Sequence, residues 1–84
     1  MYYVYVIQSQ KDSNLYIGYT TNLKSRLSRH SDGFVLSTKH RRPLTLLFFE
    51  GFKNQSDALA REKYLKSGYG KEQLHSILKN SLIF

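Results

Sequence analysis

Glu62, Arg26, His30 and the tyrosines are the residues of this chain whose types and spacing could carry chemistry. On a helix with Ala58 at 0°, Leu65 falls near about −20°, Glu62 near about 40° and Leu59 near about 100°. That sets Glu62 inside an apolar stripe, where a carboxylate needs a cation, a metal or a cleft. Two readings stay open. Glu62 is either a weak ion pair with Lys66 four residues on, or a group that works at a site. Arg26 and His30 are also four apart and project side by side from one helix. Taken singly, His30 reads as a satisfied core histidine beside Leu23 and Leu27, and Arg26 as a surface cation. Together they can hold a phosphate, Arg26 by a bidentate fork and His30 by a hydrogen bond or proton transfer. Seven tyrosines are a heavy load for 84 residues. By the period of two, Tyr3 and Tyr5 share one strand face, and Tyr16 and Gly18 share a face of another. Each is packing with a wet tip unless a site claims it.

The charge balance fits a phosphate partner. Thirteen Lys and Arg stand against six Asp and Glu, for a net charge of +7. Lys24, Arg26, Arg29, Lys39, Arg41 and Arg42 crowd between positions 24 and 42, opposed only by Asp32. Clustered positive charge points to a polyanion, nucleic acid above all, and away from charge spread only for solubility. Zero cysteines exclude disulfides, thiolate metal sites and cysteine nucleophiles. No apolar run is long enough to span a bilayer, and the first residues do not read as a leader, so a cytoplasmic location without membrane contact is expected. P-loop, Gly-x-Ser-x-Gly and His-Glu-x-x-His patterns are missing. His30, His40 and His75 lie too far apart to signal zinc by spacing.

The elements that must position these groups follow from pattern. Residues 2–8 read as a strand buried on both faces, and residues 15–19 as its antiparallel partner across the turn formers 10–14. Gly18 inside the second strand signals a bulge or a close backbone approach. Asn22 or Thr21 caps a helix over 23–30. Residues 31–43 form a basic loop containing Gly33. A third strand covers 44–52. Ser56 caps a helix over 57–66, Gly68-Tyr69-Gly70 breaks it, and a last helix covers 71–79 with Leu74, Ile77 and Leu78 on one face. The expected fold is one α+β domain over residues 1–84. It has a small three-stranded antiparallel sheet flanked by about three helices, in the order β-β-α-β-α-α.

Tyr3-Val4-Tyr5-Val6-Ile7 followed by Tyr16-Ile17-Gly18 resembles the two motifs that name the GIY-YIG nuclease superfamily. The run from Tyr19 through Arg26 to His30 resembles the segment that follows them, and Ala58-Leu59-Ala60-Arg61-Glu62 resembles that family's metal-binding helix. The resemblance covers nearly the whole chain, as a minimal catalytic module. It implies that Tyr5 and Tyr16 are the motif tyrosines and that Gly18 is a structural glycine. It further implies that Arg26 binds the scissile phosphate, that His30 is the histidine of many members, and that Glu62 holds one divalent metal, magnesium or manganese. Tyr3 departs from the pattern, standing where the first motif has glycine. His40 is a candidate second histidine, and Asn80 a weak match to a late asparagine.

The implied function is metal-dependent hydrolysis of DNA phosphodiesters, with RNA left open as a substrate. Lys24, Arg29, Lys39, His40, Arg41, Arg42 and Lys66 are the expected nucleic-acid contacts. Tyr5 or Tyr16 would orient or deprotonate the water. A free phenol has a pKa of about 10, so ionising one at pH 7 costs about 4 kcal/mol unless Arg26, His30 or a metal lowers it. A rival reading is a catalytically silent nucleic-acid-binding module of the same fold. A third is an interaction protein, dimer or heteromer, working through the apolar tail Leu82-Ile83-Phe84.

Overall fold

In the computed structural model, which describes residues 1–82, β1 (Tyr2–Ser9) runs through the middle of a three-stranded antiparallel sheet ordered β2-β1-β3. Its aromatic and β-branched residues suit a central strand, and Val4 to Ser9 are buried on both faces. β2 (Leu15–Thr20) returns along one edge and sets Tyr5 directly opposite Gly18. β3 (Leu44–Phe52) pairs with the other edge, and its register shifts by one residue opposite Val6 and Ile7.

Strand alternation divides the sheet into two working faces. Val4, Val6 and Ile17 point one way and form the core with Ala58 and Leu65 of α2 (Gln55–Leu65) and Leu74 of α3 (Gly68–Ile77). Tyr3, Tyr5 and Gly18 point the other way, toward α1 (Leu23–Ser31). The architecture is α+β in the expected order, with two helices on the greasy face and one over the polar face.

Asn22, one of the two expected caps, closes α1, its Oδ1 accepting the Ser25 N–H at 3.0 Å. The differences from expectation lie at the other helix ends. Asn54, not Ser56, caps α2: its Oδ1 accepts the Ser56 N–H at 2.8 Å, so the helix starts at Gln55, ahead of the expected Asp57. Gly68-Tyr69-Gly70 is the first turn of α3 and not a break. Ser67 caps it by accepting the Gly70 N–H at 3.2 Å. Gly70 is buried where a Cβ would strike the Tyr64 carbonyl and Leu65 Cα, so its smallness lets α2 and α3 touch. Leu74 and Leu78 face the core, but Ile77 is 49 % exposed and not on their face. Residues 39–41 form a short 3-10 turn inside the expected loop. Leu82 packs against the core, while Ile83 and Phe84 of the expected interaction tail lie outside the described residues. No helix among the described residues is long and apolar enough to cross a membrane.

Candidate active site

Tyr5 is the centre of the polar face. It is fully buried although its hydroxyl must be satisfied. Its ring lies across the backbone of Gly18, and a Cβ at position 18 would fall on the ring and hydroxyl. The glycine is therefore a close-approach residue, needed because the residue opposite it is a tyrosine lying flat.

Three further groups converge there. Arg26 and His30, one turn apart on α1, both reach the phenol: Arg26 Nε donates to Tyr5 Oη at 3.3 Å, and His30 Nε2 is 2.7 Å from the same oxygen. The Tyr16 ring sits 5.1 Å from the His30 ring and 6.3 Å from the Tyr5 ring, centroid to centroid. Behind the imidazole, His30 Nδ1 is 2.8 Å from Thr38 Oγ1.

Burial dominates the electrostatics. It pushes the Tyr5 phenol above its ordinary value, outweighing the hydrogen bond from Arg26, so Tyr5 is a neutral phenol at pH 7. Arg26 lowers that phenol as expected, but burial outweighs it and the net shift is upward. His30 is driven down to about 4, first by burial and then by the charges of Arg26 and Arg29, so it is a neutral imidazole. Arg26 is held above its usual value, first by its bond to Tyr5. The result is a phenol that keeps its proton beside an imidazole with room for one.

Glu62 stands apart from this cluster. Its carboxylate lies 3.3 Å from Lys66 Nζ, with the Glu62 side chain 21 % exposed. Ala58 and Leu65 are buried but Leu59 is 42 % exposed, so Glu62 borders the apolar stripe and does not sit at its centre. Its charge still acts on the Tyr5 phenol, raising its pKa slightly. A single carboxylate beside open solvent suits magnesium or manganese, which take one or two protein carboxylates and keep several waters. No group of three or more metal-ligating side chains gathers among the described residues.

The expected nucleic-acid contacts divide. Lys24 and Arg29 are exposed and form no ion pair among the described residues. Arg26 and Arg29 line a cleft of about 310 Å³ with Tyr19 and Ser25. A larger cleft of about 540 Å³, lined by Tyr3, Leu23, Lys24, Leu27 and Phe49, lies on the other side of α1 and is mainly apolar. Lys39 and His40 are exposed on the 3-10 turn. Arg41 lies 3.9 Å from Asp12. Arg42 is a clasp: it donates to the Lys39 and Ser31 carbonyls at 3.0 and 3.2 Å and packs over Gly33, whose φ of +81° favours glycine. Lys66 is engaged by Glu62. Arg61 is bound to Glu50 at 2.7 Å.

Thr38 is the site residue that sequence reasoning missed. A lone threonine in a basic loop carries no periodicity and no motif. Only the return of the loop over α1 reveals it.

A family model described as the GIY-YIG catalytic domain matches residues 1–75. The UPF0213 protein in the ldhD 5′ region of Pediococcus acidilactici is 40 % identical over 98 % of this chain and 86 % of its own length. A UPF0213 protein of Clostridium perfringens is 37 % identical over 98 % and 88 %. The solution NMR structure of a UPF0213 protein from Bacillus halodurans superposes with a TM-score of 0.58 at 33 % identity, covering 92 % of this chain and 85 % of that one.

Proposed function

Because the chain belongs to the GIY-YIG catalytic-domain family, we propose that it is a divalent-metal-dependent endonuclease hydrolysing phosphodiester bonds in DNA. The observation that carries this reading is the buried contact between a proton-bearing phenol and a neutral imidazole, 2.7 Å apart, beside Arg26. A phenol and an open imidazole nitrogen beside an arginine form a proton path that binding alone does not require.

The chemistry runs through the chain's own groups. Arg26 has five N–H donors, and its contacts with tyrosine leave some to clamp a non-bridging phosphate oxygen. With Arg26 drawn from Tyr5 to the phosphate, a water there reaches Tyr5 Oη and gives it a proton as Tyr5 passes its own proton to His30 Nε2. The phenol thus never has to be ionised in the resting protein; the proton goes to His30, and the negative charge of the phosphate supports the imidazolium that forms. The water oxygen bonds to phosphorus, the bond to the 3′ oxygen breaks, and that oxygen is protonated from solvent. Tyr16 packs against His30 and holds the ring in place. Glu62, released from Lys66, would hold the magnesium or manganese ion, which when bound supplies positive charge against the phosphate and the leaving oxygen. Lys24, Arg29 and Lys39 hold the strand by its phosphates.

The engagement of Glu62 by Lys66 favours the second reading, a silent binding module. Nicking of plasmid and branched DNA with magnesium, manganese or EDTA separates the two, with binding of each variant checked at one stated salt concentration. Metal-dependent cutting lost in Glu62→Ala and in Arg26→Ala, with the fold intact, is the expected result. Salt-sensitive binding with no cutting on any substrate or metal would establish the module instead.

A further inference from the structure

One buried side chain beside the cluster has no part in the reaction just described. Thr38 is 1 % exposed, in the loop that returns from α1 to β3. Its Oγ1 lies 2.8 Å from His30 Nδ1 and 3.5 Å from the Val35 carbonyl oxygen.

The direction of every proton follows from donor and acceptor capacity. A guanidinium only donates, so Tyr5 Oη accepts from Arg26 Nε. The Tyr5 proton must then be donated, and its acceptor among the described residues is His30 Nε2 at 2.7 Å. Nε2 therefore carries no proton. A neutral imidazole has one N–H, so that proton is on Nδ1 and goes to Thr38 Oγ1. The Thr38 hydroxyl proton is left for the Val35 carbonyl. This assignment leaves no buried side-chain polar atom unpaired among the described residues.

We propose that Thr38, backed by the Val35 carbonyl, is a positioning residue: Arg26 and Tyr5 set the Nδ1–H tautomer of His30, and Thr38 accepts that Nδ1–H and holds the ring with Nε2 open to the Tyr5 proton. In hydrolases built on serine and histidine, a buried aspartate has this task. A carboxylate there would raise the proton affinity of the imidazole; a neutral hydroxyl orients the ring with a smaller effect on it. The Thr38 oxygen orients the ring without that charge, and its polarisation by a carbonyl supports the imidazolium once the proton arrives. The loop is built to keep Thr38 there: Thr38 N–H donates to the Val35 carbonyl at 3.1 Å and Phe34 N–H to the Arg29 carbonyl at 2.9 Å, while Arg42 clasps both ends.

The tautomer assignment stands on geometry alone, and its consequence for cutting rests on the nuclease reading. The test is a long-range nitrogen–proton correlation spectrum of the imidazoles in the ¹⁵N-labelled full chain at pH 7, with His30 assigned apart from His40 and His75. Wild type is expected to show His30 as the Nδ1–H form. Thr38→Val should shift the His30 Nδ1–H resonance, through loss of its hydrogen bond, and cut about 10- to 100-fold more slowly, and Thr38→Ser should restore both. An Nε2–H form in the wild type, or an Nδ1–H resonance unchanged in Thr38→Val, overturns the proposal. If Thr38→Val fails to fold, the wild-type and Thr38→Ser spectra decide. If the spectra agree but no variant cuts, the nuclease reading falls and the assignment of Thr38 stands.

Discussion

At the scale of single residues, the account turns on protons. His30 takes a proton near pH 6.5 in an unfolded chain but only near about 4 in the fold. Between those values the unfolded state binds more protons, so stability falls as the pH drops from 6.5 toward 4 and is fully present above 6.5. The limiting slope from one such group is about 1.4 kcal/mol per pH unit. Urea unfolding across that range should show the slope in the wild type and a flatter profile in His30→Gln; equal slopes would contradict the buried neutral imidazole. Much of the cluster was legible in the sequence, because Arg26 and His30 lie one helical turn apart and Tyr5 and Gly18 follow strand periodicity. Thr38 was not legible, since its partner lies across an irregular loop. Nor was the role of Arg42, whose charge reads as a nucleic-acid contact until its bonds to two carbonyls are seen.

At the scale of elements, the hairpin exists to lay Tyr5 flat on β2, and α1 exists to bring two side chains down on it. Gly18→Ala should therefore be destabilising by about 1–3 kcal/mol, the usual cost of overpacking. Because the added methyl meets the phenol itself, any folded fraction should also lose cutting. A Gly18→Ala protein with an unchanged urea midpoint would refute the close approach. Asn22→Ala removes the cap of the helix that carries Arg26 and His30, and should cost about 1 kcal/mol in the same assay. The strands were readable because aromatic and β-branched runs have few other uses. Helix starts were less so. Asn54 and Ser56 are both good caps, and only the backbone decides between them. Gly70 reads as a breaker until α2 is seen pressed against it.

At the scale of the whole molecule, a charge of +7 is divided between cations that hold the fold and cations left for a partner. Arg42 and Arg61 belong to the first group, Lys24 and Arg29 to the second. DNA affinity should fall steeply with salt, and Lys24→Ala or Arg29→Ala should each flatten the log–log slope by about 0.9. Arg42→Ala should instead lower the unfolding midpoint and leave that slope nearly unchanged. The most direct test of the central claim is single-turnover cutting of DNA by wild type and Tyr5→Phe with saturating magnesium or manganese, with binding and unfolding measured alongside. The substitution removes one oxygen and keeps the ring over Gly18. The predicted result is metal-dependent cutting by the wild type and a loss of at least about 100-fold in Tyr5→Phe, with DNA binding unchanged. Equal cutting by the two proteins would contradict the proton path from water through Tyr5 to His30.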